Sequence, residues 1–260
     1  MCANPVFTRR AKVESSMTDA EWQTRVDLAA CYRLVAHYGM DDLTATHVSA
    51  RVPGKEEHFL INPFGWMFSE ITASSLVKVD LEGTIVQDTP HVINPAGFVI
   101  HSAIHAARPD AKCVLHTHTV AGMAIASMKE GVLPLNQKAA RFYKRVAYHD
   151  FQGSSQDLAA RERLVRDLGD MNYAVLRNHG LLVCAPTISR AFRGMHSLEK
   201  VCKTQLSIMA SGGTPIPVNP ELLEFMGNQF ARDATPSAAR PDAWPSLKAM
   251  LDRINPGYDD

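Results

Sequence analysis

The sequence predicts an α/β domain in which a central sheet is covered by helices on both faces, and three observations carry that prediction. An amphipathic segment with a capping signal opens the ordered chain, and a series of short β-prone runs separated by Pro and Gly follows it. From Asn94 onward helical and strand periodicities alternate, the pattern of a layered sheet. At 260 residues the chain is long enough to bury one large core, so one domain is expected.

Residues 1–17 mix charge with Ser and Pro and show no periodicity, which predicts a flexible N-terminal arm; the domain proper is expected over 18–260 and to include a helical C-terminal extension. Thr18-Asp19-Ala20-Glu21 matches the capping-box spacing, and Trp22, Val26, Ala29, Ala30, Arg33 and Leu34 follow at helical intervals until Gly39 closes the helix. Strands are predicted over 48–52, 58–62, 76–79 and 84–86, punctuated by Pro53-Gly54, Asn62-Pro63 and Glu82-Gly83. Asn94-Pro95 precedes a helix over 97–107 that Pro109 stops, and 111–117 reads as a buried strand. Helices follow over 120–128, 157–168 and 187–210, and short strands over 173–176 and 181–184 flank the turn Asn178-His179-Gly180. Two further helices are expected over 220–231 and 241–254.

Lys plus Arg and Asp plus Glu number 27 each, so no net field attracts nucleic acid or an anionic membrane. No segment approaches the about 20 apolar residues of a membrane span, and Met1 to Lys12 lack the apolar core of a signal peptide, so the protein is expected in the cytoplasm. The five cysteines lie outside CxxC spacing and read as reduced thiols without a disulfide framework.

The histidines carry the chemistry. His116-Thr117-His118 ends an apolar strand, where residues i and i+2 share a face and two imidazoles can converge on one ion. His179 sits in a tight turn, with Gly180 expected to permit positive φ and let the ring face a cleft. Three neutral imidazoles with an open fourth position suit one divalent metal, zinc, iron or manganese, and ligand type alone does not choose among them. His101 and His105 form a second pair at i and i+4, His105 expected to cover the sheet or face solvent; His196 and Glu199 read as a solvated pair on a helix face.

Two stretches, NPAGFVIHSAIHAARPDAKCVLHTHT at 94–119 and LRNHGLLV at 176–183, resemble the class II aldolase/adducin family, and the similarity runs over about 19–210. FLINPFGWMFSEITASSLVKVD at 59–80 resembles the adducin head domain in particular. The resemblance implies a three-layer αβα fold around a mixed, largely antiparallel sheet, one divalent metal, zinc foremost, held by His116, His118 and His179, and a homo-oligomer, a tetramer being favoured. In the family's aldolases a Glu shuttles the proton, and the matching position here is Gly97; His101, one turn on, is the candidate catalytic substitute. The positions that cradle a sugar phosphate in those aldolases read Thr46-His47, Phe64-Gly65 and Pro95-Ala96, a poor set for a dianion. Phe64, Trp66, Phe68 and Phe98 suggest an apolar rim or core. A catalytic Tyr that the aldolases take from a neighbouring subunit has no counterpart at the expected spacing, and the role is assigned to neither Tyr143 nor Tyr148, which read equally as interface or core residues.

These features predict a metal-dependent lyase-like enzyme, of aldolase or decarboxylase chemistry, acting on a small non-phosphorylated hydroxy- or keto-acid. One alternative is a non-haem iron oxygenase using the same three histidines. The other is a non-enzymatic, adducin-like interaction domain with a structural metal; the absence of a basic tail after Asp260 disfavours cytoskeletal binding.

Overall fold

A computed structural model describes residues 17–54, 57–151, 153, 158–232 and 241–260. Nearly all of the expected arm, together with Cys2, lies outside them. Seven strands form one sheet in the order β3-β2-β1-β4-β7-β6-β5. They are β1 (His47–Arg51), β2 (Phe59–Ile61), β3 (Val77–Val79), β4 (Cys113–Thr117), β5 (Val146–His149), β6 (Tyr173–Leu176) and β7 (Gly180–Ala185). Every pairing is antiparallel except β5 with β6. The mixed, largely antiparallel sheet and its helical layers match the expected αβα architecture.

Helix α1 (Asp19–His37) starts where Thr18 caps it, the hydroxyl accepting from Glu21 N at 3.1 Å. The reciprocal half of the capping box is not used. Glu21 instead turns inward to Arg25 at 3.0 Å and Lys78 at 2.8 Å, a buried charge with two cations to satisfy it. Trp22, expected on the apolar face, is 37% exposed. Helices α3 (Val120–Ala126) and α5 (Ile188–Ala210) join α1 on one face of the sheet, where Leu28, Leu34, Val48, Leu115, Val183 and Met195 share a core. Each such side chain removed from water contributes about 1.5–3 kcal/mol.

Helices α2 (Pro95–Ala107) and α4 (Leu158–Leu168) cover the other face, over Ile104, Val114, Leu164 and Leu182. Strand alternation therefore sends His47 and Ser49 toward α2, and Val48 and Ala50 toward α1. The C-terminal helices are α6 (Pro220–Arg232) and α7 (Trp244–Ile254); α7 packs Leu251 onto α1.

Two expectations change. The run at 84–86 makes only an isolated bridge, Val79 to Ile85, and β5 was not anticipated. Phe68 and Phe98 are core, whereas Phe64 is 49% exposed and Trp66 packs edge-on against His91. Cys31, Cys113, Cys184 and Cys202 are buried free thiols. Among the described residues no helix is long and apolar enough to cross a membrane.

Candidate metal centre

The centre lies where the ends of β4, β1 and the β6–β7 turn meet. His116 and Thr117 close β4, and His118 follows immediately. Thr119 then caps α3 by accepting from Gly122 N at 3.0 Å, and its hydroxyl donates to the carboxylate of Glu199 on α5. The backbone leaving His118 is thereby tied to a buried acid. Glu199, expected to be solvated beside His196, is 3% exposed and has Lys203 Nζ at 3.1 Å.

His179 is presented by the turn between β6 and β7, with the reason for its glycine corrected by the structure. Positive φ falls on Asn178, at 53°, not on Gly180. Gly180 is required for close approach: a Cβ there would run into the Thr117 carbonyl oxygen and stand 3.1 Å from His118 Cδ2 and 3.3 Å from His116 Cε1. The third ring reaches the other two because nothing fills that space.

His116 Nε2 lies 2.8 Å from His118 Nε2, which lies 2.9 Å from His179 Nε2. Among the described residues these three form a group able to hold one ion, their ligand atoms all within 4.8 Å. Bonds of about 2.0–2.1 Å at tetrahedral angles set ligand nitrogens about 3.3 Å apart, close to this spacing. The outer nitrogens are already assigned: His116 Nδ1–H donates to the Leu181 carbonyl at 2.8 Å, and His118 Nδ1–H to Asp42 Oδ2 at 3.2 Å. In the neutral rings Nε2 is then bare in both, the tautomer a metal needs, with a carboxylate behind one ligand. One proton can bridge two of the three nitrogens; one metal ion could bind all three. The donor set fits a divalent metal.

Electrostatics agree. Burial, then the neighbouring His47, His179 and His118, holds the His116 imidazole well below its ordinary pKa, outweighing the opposite effect of the Leu181 carbonyl. Burial, followed by His118 and His149, brings His179 down to about 4. Neutral imidazoles are the form that ligates.

His101 does not itself reach over the centre. It is 0% exposed, with Nε2 2.7 Å from His47 Nδ1 and Nδ1 bonded to Ser49 Oγ, and the His47 ring in turn packs 5.3 Å from that of His116. His105 likewise covers the sheet, fully buried. His47 fills the volume in front of Gly97: a Cβ at 97 would stand 2.8 Å from His47 Nε2. Sequence reasoning missed Asp42, Ser49 and Glu199 as site residues and met His47 only as a match to the aldolases' phosphate cradle; the register that sets His47 opposite His116 across β1 and β4 was the missing signal. Tyr148 is structural, its hydroxyl accepting from Val132 N at 3.0 Å.

A cavity of about 270 Å³ opens beside His179, lined by Val99, Ile100, Leu164 and Leu176 with Arg161 and Arg177 among its polar members. The Arg161 Nε is buried without a hydrogen-bond partner.

Comparison with known proteins places the chain in a family. The family described as Class II Aldolase and Adducin N-terminal domain matches residues 26–206. A Pseudomonas aeruginosa protein whose name places it provisionally among class 2 aldolases is 48% identical over 97% of this chain and 98% of its own length. Alpha-adducin of Rattus norvegicus is 39% identical over 98% of this chain, which spans 36% of that protein. Among solved structures, an aldolase II superfamily protein from Pseudomonas syringae superposes with a TM-score of 0.89 at 46% identity, covering 94% of this chain and 98% of that one. An L-fuculose 1-phosphate aldolase from Glaciozyma antarctica gives 0.79 at 30%, covering 98% and 96%. The chain belongs to the class II aldolase and adducin family.

Proposed function

We propose that the protein is a metal-dependent lyase, of aldolase or decarboxylase chemistry, acting on a small non-phosphorylated hydroxy- or keto-acid in the cytoplasm as a homotetramer. The observation that carries the reading is the convergence of three imidazole Nε2 atoms, two of them with their outer nitrogens anchored to Leu181 and Asp42. A divalent ion on His116, His118 and His179, zinc by the family resemblance with iron or manganese as alternatives, would supply Lewis-acid polarisation of substrate oxygens. The chain supplies the rest. Arg161, with an unpartnered Nε at the adjoining cavity, offers a carboxylate its counter-charge, and Val99, Ile100, Leu164 and Leu176 favour a small apolar substituent.

The Glaciozyma neighbour is named for a phosphorylated sugar, but donors for a phosphate are scarce here. Pro95 has no N–H, Ala96 N already donates to Asn94 Oδ1 at 3.0 Å, and Phe64 N to the Val92 carbonyl at 2.8 Å. The Thr46 hydroxyl is left buried without a partner, and a neutral hydroxyl compensates a dianion poorly. Val120 and Met123, 82% and 38% exposed just beyond His118, support a subunit border beside the centre.

The test is metal analysis of the protein and of its His116→Ala, His118→Ala and His179→Ala variants, joined to a turnover screen of hydroxy- and keto-acids by the remetallated protein. One bound metal per chain, lost in the variants, with turnover of an acid is expected; stoichiometric metal in all three variants sinks the centre, and turnover of none of the acids sinks the lyase. The likeness to alpha-adducin favours the interaction domain as second reading. Salt-resistant co-sedimentation with actin filaments would raise it above the first.

A further inference from the structure

A continuous chain of buried hydrogen bonds leads away from the centre beneath α2. His47 Nδ1 is 2.7 Å from His101 Nε2, His101 Nδ1 meets Ser49 Oγ, Ser49 Oγ is 2.7 Å from His105 Nε2, and His105 Nδ1 is 3.2 Å from the Ala111 carbonyl oxygen. The exposure of these four side chains' residues runs from 0% to 4%.

The far end sets the direction of every bond. A carbonyl oxygen only accepts, so His105 Nδ1 carries its proton. No carboxylate bonds to any of the three rings in these contacts, and burial keeps them neutral. His105 Nε2 is therefore bare and takes the hydroxyl proton of Ser49. With that single proton committed, Ser49 Oγ must accept from His101 Nδ1–H, leaving His101 Nε2 bare. The hydrogen between the two remaining rings then belongs to His47 Nδ1. His47 Nε2 is left bare as a consequence of a carbonyl three residues of relay away.

The His47 ring adjoins the centre, its Nε2 on the side of Gly97. His47 stands opposite His116 in the β1–β4 register, so both rings leave the same face, 5.3 Å apart between centroids. Gly97 leaves the room the ring occupies.

We propose that the relay from Ala111 through His105, Ser49 and His101 locks His47 as a hydrogen-bond acceptor beside the metal centre, so that the centre selects a hydroxy-acid over the corresponding keto-acid. His101, Ser49 and His105 are positioning residues that act through His47. The hydroxyl preference rests on the lyase reading above; the locked tautomer stands without it.

Nitrogen-15 NMR of histidine-labelled, zinc-loaded protein tests the lock, because bare and protonated ring nitrogens separate by chemical shift. The expected result is a protonated Nδ1 and bare Nε2 on His47, His101 and His105. Ser49→Ala should release His47 and His101 from that tautomer and leave His105 in it, while Ser49→Thr, which keeps the hydroxyl, should preserve all three. Protonated Nε2 on His47 in the unaltered protein, or an unchanged His47 in Ser49→Ala, overturns the relay. Should Ser49→Ala fail to fold, the tautomers of the unaltered protein still decide it.

The selectivity is read by calorimetric binding of 2-hydroxyisovalerate and 2-ketoisovalerate to the zinc-loaded protein. An acceptor left without its hydrogen predicts hydroxy-acid binding tighter by on the order of 10- to 100-fold, and that ratio collapsing in Ser49→Ala. Equal affinities overturn the hydroxyl preference while leaving the lyase intact. Binding of neither acid overturns the preference and counts against the lyase reading, with the NMR result unaffected.

Discussion

Replacing Asp42 asks how much of the metal affinity comes from outside the ligands. Its carboxylate accepts from His118 Nδ1 at 3.2 Å, which orients the ring, keeps Nε2 bare and makes that nitrogen a better donor. Removing an outer-shell partner of this kind typically weakens metal binding about 10- to 100-fold, or roughly 1.4–2.7 kcal/mol. Asp42 has a side chain 46% exposed, so water screens its charge and can partly replace its oxygen. The low end applies: about 10-fold for Asp42→Ala. Asp42→Asn leaves an amide oxygen able to accept the same hydrogen bond without the charge, and an exposed charge contributes little, so a loss of only about threefold is expected. The assay is competition for zinc between each variant and a chromophoric chelator of known affinity, at fixed pH and salt. Wild-type affinity in Asp42→Ala would show that the contact does not tune the ligand; equal losses in the two variants would show that charge, rather than the hydrogen bond, does.

Two further outcomes follow from the same geometry. Gly180→Ala drives a methyl into the Thr117 carbonyl and against two ligand rings, so β4 and β7 must part or the rings move; destabilisation by about 3 kcal/mol, with loss of stoichiometric zinc, is expected in denaturant titration and metal analysis. A wild-type midpoint with full zinc would show that the strand ends yield freely. The metal-free protein should also lose stability as pH falls below about 6.5. Burial first, and then neighbouring positive groups, lower the folded-state pKa of His105 to about 3 and of His179 to about 4, while the unfolded chain titrates near 6.5. Between these limits the unfolded state binds more protons, so stability rises with pH through the window, by up to about 1.4 kcal/mol per pH unit for each such histidine. Thermal melts of metal-free protein from pH 7 to 4 check the sign. A flat profile would contradict the neutral burial of these rings.

The two halves of the structure were not equally readable in advance. Helices such as α1, α2 and α5 announce themselves because burial of one face imposes a 3.6-residue period and because Thr18, Asn94 and Thr187 cap their first turns. Strand β5 did not, since Val146–His149 is four residues long and owes its existence to parallel pairing with β6, a contact between segments about 27 residues apart. The run at 84–86 has comparable β character and finds only one bridging partner.

By itself the sequence determined the layered α/β class and the pairing of His116 with His118 through strand alternation, because each depends on local periodicity or residue type. Only the tertiary structure decided which other groups join them. His179 arrives across 61 residues of chain because Gly180 lets the strands close. His47 comes beside His116 through a register set by the whole sheet, and Asp42 meets His118 from a loop with no periodicity to read. Glu199 was mistaken for a solvent-facing acid since helical spacing reports which residues share a face but not what that face meets. A tautomer is more remote still, depending on a carbonyl at Ala111 that touches the centre only through a relay of hydrogen bonds.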